Sequence, residues 1–405
     1  MHILVLDTIH GGKEISAAYS AAGCSVDAVD VYHGTTPDEL REAPERHYDL
    51  VVAPVHLDPD HPVLARQKAP VITHHEAVRR LLGEHLPHPM IEITGAQGKT
   101  TTAHALASIL PNKGVLHTSS GTYAYPSGDL LWKKSITPAS EIAAAWYASR
   151  MPGWLIAEIS LGVTGTGDLA IITSPDDYTV ARGKKSAIRE KIASASHARC
   201  VLVADGVPCH GENVVHLGDI VRCNGVQCTI EIEGKTCVLT NPLFLLPPYR
   251  TPLMLAAAAA MILHIDPAPL NHFTALPGRM SLECAKDLII VDNSNSGTNA
   301  VTTLCAARYA RYCAKASELT LVIGQVEGDG AVCEGFSHDQ ILSAINQVRP
   351  TRVVWVGRPP GLGTGQSGVL KGTIDATCTT LDEGKKTAIR LTGKGSIVLS
   401  VKTWR

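Results

Sequence analysis

At 405 residues the chain is longer than one hydrophobic core serves comfortably, so two or three domains are expected. Hydrophobic residues make up 45% and charged residues 18%, the balance of a folded soluble protein, while 4% aromatic content and a net charge of −2 exclude a base-stacking platform and a basic nucleic-acid surface. The opening "MHILVLDTIHGG" has an acid at position 7 and no basic run before its apolar stretch, and no charge-free apolar run reaches 18 residues. Neither a signal peptide nor a membrane span is therefore expected, and the expected compartment is the cytoplasm.

Residues 1–88 read as a small Rossmann-like α/β unit: a strand "ILVLD", a turn "HGG", a helix "KEISAAYSAAG", then strands "SVDAVDVY" and "DLVVAPV". Strands alternating with helices imply a parallel sheet whose ligands lie beyond the strand C-termini. His10, Gly11 and Gly12 hold that place at a helix start, whose free N–H groups favour an anion, and they are the candidate substrate-binding residues. Ten of the eighteen histidines fall in this segment. None is in an H-x-x-x-H or H-E-x-x-H pattern, so substrate contacts and surface positions are expected rather than a metal site. With 7 Lys or Arg against 13 Asp or Glu, the segment would hold a polyanion through individually placed donors.

After a Pro-rich hinge, "EHLPHPM", residues 89–276 read as a larger nucleotide-binding domain. Its strand "MIEITG" leads into "AQG" and a helix "KTTTAHALASIL", followed by strands at "WLIAEIS", "LAIITS" and "CVLVAD", a hairpin region "CTIEIEGKTCVLT" and a buried helix "PLMLAAAAAMILHI". Residues 277–405 form a third α/β segment, with strands "DLIIVDNS", "LTLVIG", "RVVWVG" and "SIVLSV" and a helix "HDQILSAINQV". The Gly-rich "GRPPGLGTGQSG" reads as a loop. The eleven cysteines are scattered, and Cys223 and Cys228 in "RCNGVQC" read as reduced strand thiols beside an Asn-Gly turn rather than a metal site.

The strand–glycine loop–helix order makes "TGAQGKTTT" a phosphate-binding loop although only Ala96 and Gln97 separate Gly95 from Gly98-Lys99, where the usual loop has four residues. Gly95, Ala96, Gln97, Gly98 and Thr101 would cradle the phosphates of ATP with backbone N–H groups, Lys99 would neutralise them, and the Thr100 hydroxyl would ligate Mg²⁺.

A loop shortened in this way resembles that of the Mur ligase family, and further motifs agree in the family's order. "SITPA" is similar to its T-T-P motif and "AEISLG" to its L-E-x-S-S strand, which implies that Glu158 binds Mg²⁺. "LPGRM" resembles its G-R-M/F-E motif, with Arg279 on ATP, and "VDNSNSGTN" its D-Y-A-H-N-P, with Asp292 on the nucleotide and Asn295 in place of the His. The resemblance implies a three-domain α/β architecture divided at 1–88, 89–276 and 277–405, with ATP between the central and C-terminal domains and Lys99 and Glu158 at the chemistry.

Departures from the pattern are equally informative. Where the family reads T-N-x-x-x-D-H, this chain reads "ITSPDDYTVARGKK", with Tyr178 in place of a metal-holding His and Asp177 as a candidate oxygen ligand. A carbamylated lysine of many members should lie downstream, where Lys184, Lys185 and Lys191 compete. The two ends, "ILVLDTIHGG" with "VDVY" and "VLSVKTWR", together with "ARGKKS", resemble a narrower branch of the family that closes a carbocyclic ring on a nickel tetrapyrrole acid. The alternatives are an amide ligase joining an amino acid to a carboxylate, and an ATP-binding regulatory protein without turnover.

Overall fold

The computed structural model describes residues 1–32, 46–83, 86–151, 153–285, 287–295, 297–326, 336–358 and 374–403. The chain divides into two compact units, Met1–Leu245 with Tyr249–Phe273, and Leu246–Pro248 with Thr274–Arg405. Both are α/β, as the alternation of apolar runs requires.

The first unit contains two principal sheets. In the smaller, β1 (His2–Leu6), β2 (Ser25–Val29), β3 (Leu50–Ala53) and β4 (Val71–Thr73) run parallel in the order β2-β1-β3-β4. Helices α1 (Gly12–Ala21), α2 (Pro62–Ala65) and α3 (His74–Leu82) connect or follow them. Leu4, Leu6, Val51 and Ala53 pack with Val29, Leu57 and Val63 into one apolar cluster. The second strand is shorter than "SVDAVDVY" suggests, ending at Val29.

The larger sheet begins with β5 (Met90–Thr94), followed by α4 (Lys99–Ala107). An antiparallel edge of β6 (Gly114–Thr118), β7 (Gly121–Tyr125) and β8 (Asp129–Trp132) precedes α5 (Pro138–Ser149). Then come β9 (Trp154–Glu158), β10 (Leu169–Ile172), the short pair β11 (Thr179–Val180) and β12 (Lys185–Ser186), α6 (Ala187–Ala195), β13 (Cys200–Val203) and β14 (Val214–His216). The strand order is β14-β13-β10-β5-β9-β6-β7-β8. β5, β9 and β10 are buried at every position, which is why they read as continuous apolar runs rather than alternating ones. With β5 flanked by β10 and β9, the loop after it opens between the carboxyl ends of two neighbours, the usual ligand position in such sheets.

A three-stranded hairpin sheet of β15 (Val221–Asn224), β16 (Gln227–Ile232) and β17 (Lys235–Thr240) follows the short helix α7 (Leu217–Ile220). Its register sets Cys223 opposite Cys228 with Cα atoms 4.1 Å apart, and the two are joined as a disulfide rather than left as free thiols. Helix α8 (Pro247–Ile262) starts before the apolar run that announces it and buries Leu253 and the alanines from 256 to 260 completely.

In the second unit β18 (Ser281–Ala285) and β19 (Leu288–Asp292) pair antiparallel. The other strands, β20 (Leu319–Gln325), β21 (Arg352–Val356), β22 (Ala376–Cys378) and β23 (Gly395–Lys402), run parallel, giving the order β18-β19-β23-β20-β21-β22. Helices α9 (Ala300–Ala314), α10 (His338–Val348) and α11 (Leu381–Leu391) start at capping boxes formed by Asn299, Ser337 and Thr380. Most of "GRPPGLGTGQSG" lies outside the described residues. No helix among the described residues is long and apolar enough to cross a membrane.

Candidate active site

The loop at the end of β5 is held open from one side. Gly95 sits at φ 147°, where a Cβ would lie 2.1 Å from Thr173 Oγ1, and Gly98 caps α4 in a left-handed conformation at φ 86°. Both positions require glycine, one for close approach and one for backbone hand. Thr173, just past β10, donates its hydroxyl to Gln97 O at 2.5 Å, while Ala96 N donates to Ser174 Oγ (3.2 Å) and Gln97 Nε2 to Asp176 Oδ2 (2.9 Å). These contacts from the "TSPD" segment brace the shortened loop. Pro252 of α8 lies against Gly98, 3.4 Å from where its Cβ would be. The bracing roles of Thr173 and Pro252 come from strand order and packing, although Thr173 falls within the "ITSPDDYTVARGKK" stretch.

Lys99 opens α4 and donates from Nζ to Gly95 O (3.0 Å), with Glu158 Oε1 3.8 Å away. Thr100 and Thr101 follow on the buried side of the helix. Glu158, at the end of β9 and 2% exposed, accepts from Thr100 Oγ1 at 2.9 Å and from Ser119 N at 3.2 Å. A buried carboxylate is costly without positive charge nearby, and Lys99 supplies some of it. The hydroxyl of Thr100 and the carboxylate of Glu158 are hard oxygen donors side by side, the donor set that suits Mg²⁺.

The three competing lysines differ sharply in depth. Lys184 is paired at 2.5 Å with both Asp58 and Asp60, and Lys185 is half-buried in β12. Lys191, on α6, is wholly buried, and its Nζ has no hydrogen-bond partner among the described residues. It lies 4.7 Å from the centroid of the Tyr178 ring, the residue standing in place of the expected His. Burial, and then the charge of Lys99, push the Lys191 amine down to about 8. Asp177 uses its carboxylate locally, accepting from Ile188 N (3.0 Å), Ser186 Oγ (2.7 Å) and Tyr178 N (2.8 Å). The first two of these bonds hold its carboxyl below the usual range.

At the end of β1, Asp7 is fully buried and accepts from Ile9 N (2.8 Å), His10 N (3.0 Å) and His10 Nδ1 (2.8 Å). His56 Nε2 lies 3.8 Å from the same Asp7 Oδ2, and the three ligand-type atoms of Asp7, His10 and His56 fall within 4.8 Å of one another. Gly11, at φ 99°, touches the start of α5: a Cβ there would stand 2.6 Å from Ala139 Cβ and 3.0 Å from Thr137 Oγ1. A Cβ on Gly12 would strike Asp7 O at 1.8 Å. The "HGG" glycines are thus required by backbone packing, a second reason beside the helix start.

Two consecutive buried histidines complete the arrangement. From α3, His74 Nε2 donates to Leu6 O (3.0 Å), next to Asp7, and His75 Nε2 donates to Ser160 O (2.9 Å), two residues beyond Glu158. Burial drives both imidazoles down to about 4, so they are neutral near pH 7. In the sequence they sit unmarked within a histidine-rich segment, because depth leaves no mark in composition.

The remaining expected residues belong to the second unit. Asp292 ends β19 and accepts from Ser294 N at 2.9 Å. Asn295 donates from Nδ2 to Gly278 O (2.6 Å) and accepts from Gly297 N (2.7 Å), which ties the Arg279 turn to the "DNSN" turn.

The chain is similar to several known proteins. The family described as "Coenzyme F430 synthetase CfbE, C-terminal domain" matches residues 283–403. Coenzyme F(430) synthetase of Methanosarcina acetivorans is 29% identical, aligned over 100% of this chain and 98% of that protein. The Methanocaldococcus jannaschii protein of the same name is 26% identical over 48% of this chain and 50% of its own. Among solved structures, MurF from Acinetobacter baumannii superimposes with TM-score 0.57 at 14% identity, covering 90% of this chain and 89% of that one. Bifunctional folylpolyglutamate synthase/dihydrofolate synthase from Yersinia pestis does so with TM-score 0.55 at 14% identity, covering 82% and 90%. The fold is therefore that of the Mur ligases, as the shortened loop implies.

Proposed function

From a chain that is an ATP-dependent ligase built on the Mur ligase fold, we propose a carbon–carbon ring closure. A carboxylate of the nickel tetrapyrrole seco-F(430) acid is activated as an acyl phosphate and then closed into a carbocycle, giving coenzyme F(430), ADP and phosphate. The observation that carries this reading is the likeness to a coenzyme F(430) synthetase along the full chain.

The substrate carboxyl, with a pKa of about 4, is already ionised near neutral pH and needs no base to attack the γ-phosphate. The protein's work is then positioning and charge neutralisation. Residues 95–101 hold the phosphates, Lys99 faces the transferred group, and Thr100 and Glu158 would hold Mg²⁺, which supplies positive charge against the phosphate oxygens when bound. Arg279, Asp292 and Asn295 are assigned to the nucleotide. The N-terminal segment 1–88 takes the tetrapyrrole, 89–276 the ATP, and 277–405 completes the enzyme.

Lys191 is the lysine that carries a carbamate. Its amine is buried, without a hydrogen-bond partner among the described residues and of lowered basicity, so the neutral nucleophile is abundant near pH 8. Addition of its nitrogen to CO₂ releases one proton and places an anion within the field of Lys99. Incubation with ¹³C-bicarbonate should give a carbamate carbonyl resonance that is absent from Lys191→Met.

The deciding experiment combines the protein with ATP, Mg²⁺ and seco-F(430), following ADP and the tetrapyrrole absorption spectrum together. Precursor-dependent ADP release with a spectral change is expected. ADP release that requires an added amino acid would make the chain an amide ligase, and ATP binding without turnover would make it a regulatory protein.

A further inference from the structure

Ring closure at carbon requires a proton acceptor, because the new carbon–carbon bond forms as a carbon–hydrogen bond breaks. The groups around the phosphate loop are otherwise engaged: Glu158 accepts from Thr100 and Ser119, Lys99 donates to Gly95 O, and Asp177 takes three hydrogen bonds. We propose that His10, oriented by Asp7, takes the proton from the ring-closing carbon of the precursor, an inference that rests on the reaction proposed above.

The geometry of the pair is that of a poised base. Asp7 is fully buried in a left-handed backbone conformation at φ 75°, held there by the bonds from Ile9 N and His10 N to Oδ1. Its other oxygen takes the His10 Nδ1 proton at 2.8 Å, which fixes the tautomer and leaves Nε2 as the accepting atom, with no hydrogen bond among the described residues. The His10 side chain is 45% exposed, so a substrate carbon can reach it.

Surrounding groups set the ring's plane. His56 lies edge-on to His10 at 5.0 Å, and Tyr32 contacts His10 at 5.5 Å and stacks on His56 at 5.6 Å. The other titratable groups acting on this cluster are Lys185 and His75, on His56, and His74, on both Asp7 and His56. The next residue, Gly11, abuts Thr137 and Ala139, and Ile136 O accepts from Ser160 N (2.8 Å), two residues past Glu158. This chain of contacts links the His10 turn to the end of β9, which carries Glu158.

In the step itself the carbon attacks the acyl carbon, and the acyl carbon–oxygen bond breaks with its electron pair leaving on phosphate. The hydrogen on the attacking carbon passes to His10 Nε2, and its bonding pair returns to the tetrapyrrole π-system.

The test compares wild type, His10→Gln and Asp7→Asn with ATP, Mg²⁺ and seco-F(430), measuring cyclised product against acyl phosphate trapped by hydroxylamine as a hydroxamate. The product-to-hydroxamate ratio should fall about 100-fold or more in His10→Gln and in the same direction in Asp7→Asn. Trapped hydroxamate also reports that each variant has folded and activates the carboxyl. Equal losses of hydroxamate and product, or an unchanged ratio, would overturn the proposal. So would one equivalent of zinc or nickel retained by wild type after gel filtration and lost from His10→Gln. If wild type forms no ring at all, the reaction proposed above fails rather than the assignment of His10.

Discussion

Lys191 separates itself from Lys184 and Lys185 by depth alone, and depth is what a compressed motif spacing cannot convey. Lys184 spends its charge on Asp58 and Asp60, whereas the Lys191 amine is buried over the Tyr178 ring. Lys191→Met should therefore lower turnover by at least about 100-fold while leaving the melting temperature equal or higher, because a buried amine without a hydrogen bond contributes little to stability. Full turnover in that variant would end the assignment. Lys99→Ala should abolish ADP release with the fold intact, since its side chain reaches the loop carbonyl and the rim of Glu158 rather than the core. Retained turnover there would remove the loop from the mechanism. The glycines, Lys99 and Thr100 were legible because loop chemistry dictates residue type at fixed spacing, whereas Glu158 was legible only through the resemblance of "AEISLG" to a family motif. Thr173, Ser119 and the orienting role of Asp7 were not, because each depends on a neighbour distant in sequence.

Helix α3 is the element on which the first unit turns. Its leading histidines are neutral in the fold at about 4 and would titrate at about 6.5 in the unfolded chain. The unfolded state thus binds more protons between those values, so stability is full above about pH 6.5 and is lost as pH falls toward 4. The loss is on the order of 3 kcal/mol for each histidine. His117, buried in β6 and also near 4, acts in the same direction. Denaturant midpoints measured from pH 8 to pH 5 should fall in the lower half of that range; a flat profile would refute the neutral, buried state. The junction of α1 with α5 is equally tight: Gly11→Ala adds a Cβ 2.6 Å from that of Ala139 at a positive φ, and should lower stability by about 1–3 kcal/mol. Strands were easy to read because parallel sheets bury both faces. The start of α8 was harder, because Pro247, Pro248 and Pro252 disguise a helix that tertiary packing stabilises.

At the scale of the molecule, the phosphate loop, the Glu158 site and the Asp7–His10 pair share one compact unit, while Arg279, Asp292 and Asn295 belong to the other. Mg²⁺–ADP at about 100 times its Kd should stabilise the protein by about 2.7 kcal/mol in a thermal melt, and Lys99→Ala should lose most of that shift. The α/β class and the loop between parallel strands followed from hydrophobic patterning and one motif. The packing of the small sheet against the larger one followed from neither, since it rests on His75, Gly11 and Lys184, residues whose partners Ser160, Ala139 and Asp58 lie 85, 128 and 126 positions away in sequence. Those two histidines have a final consequence. By gripping Leu6 O and Ser160 O, they make α3 a ruler of fixed length between the carbonyl beside Asp7 and the one beyond Glu158. An enzyme with such a ruler selects by reach: a precursor whose reacting arm is one methylene too short should still be phosphorylated, yet leave as hydrolysed acid instead of a ring.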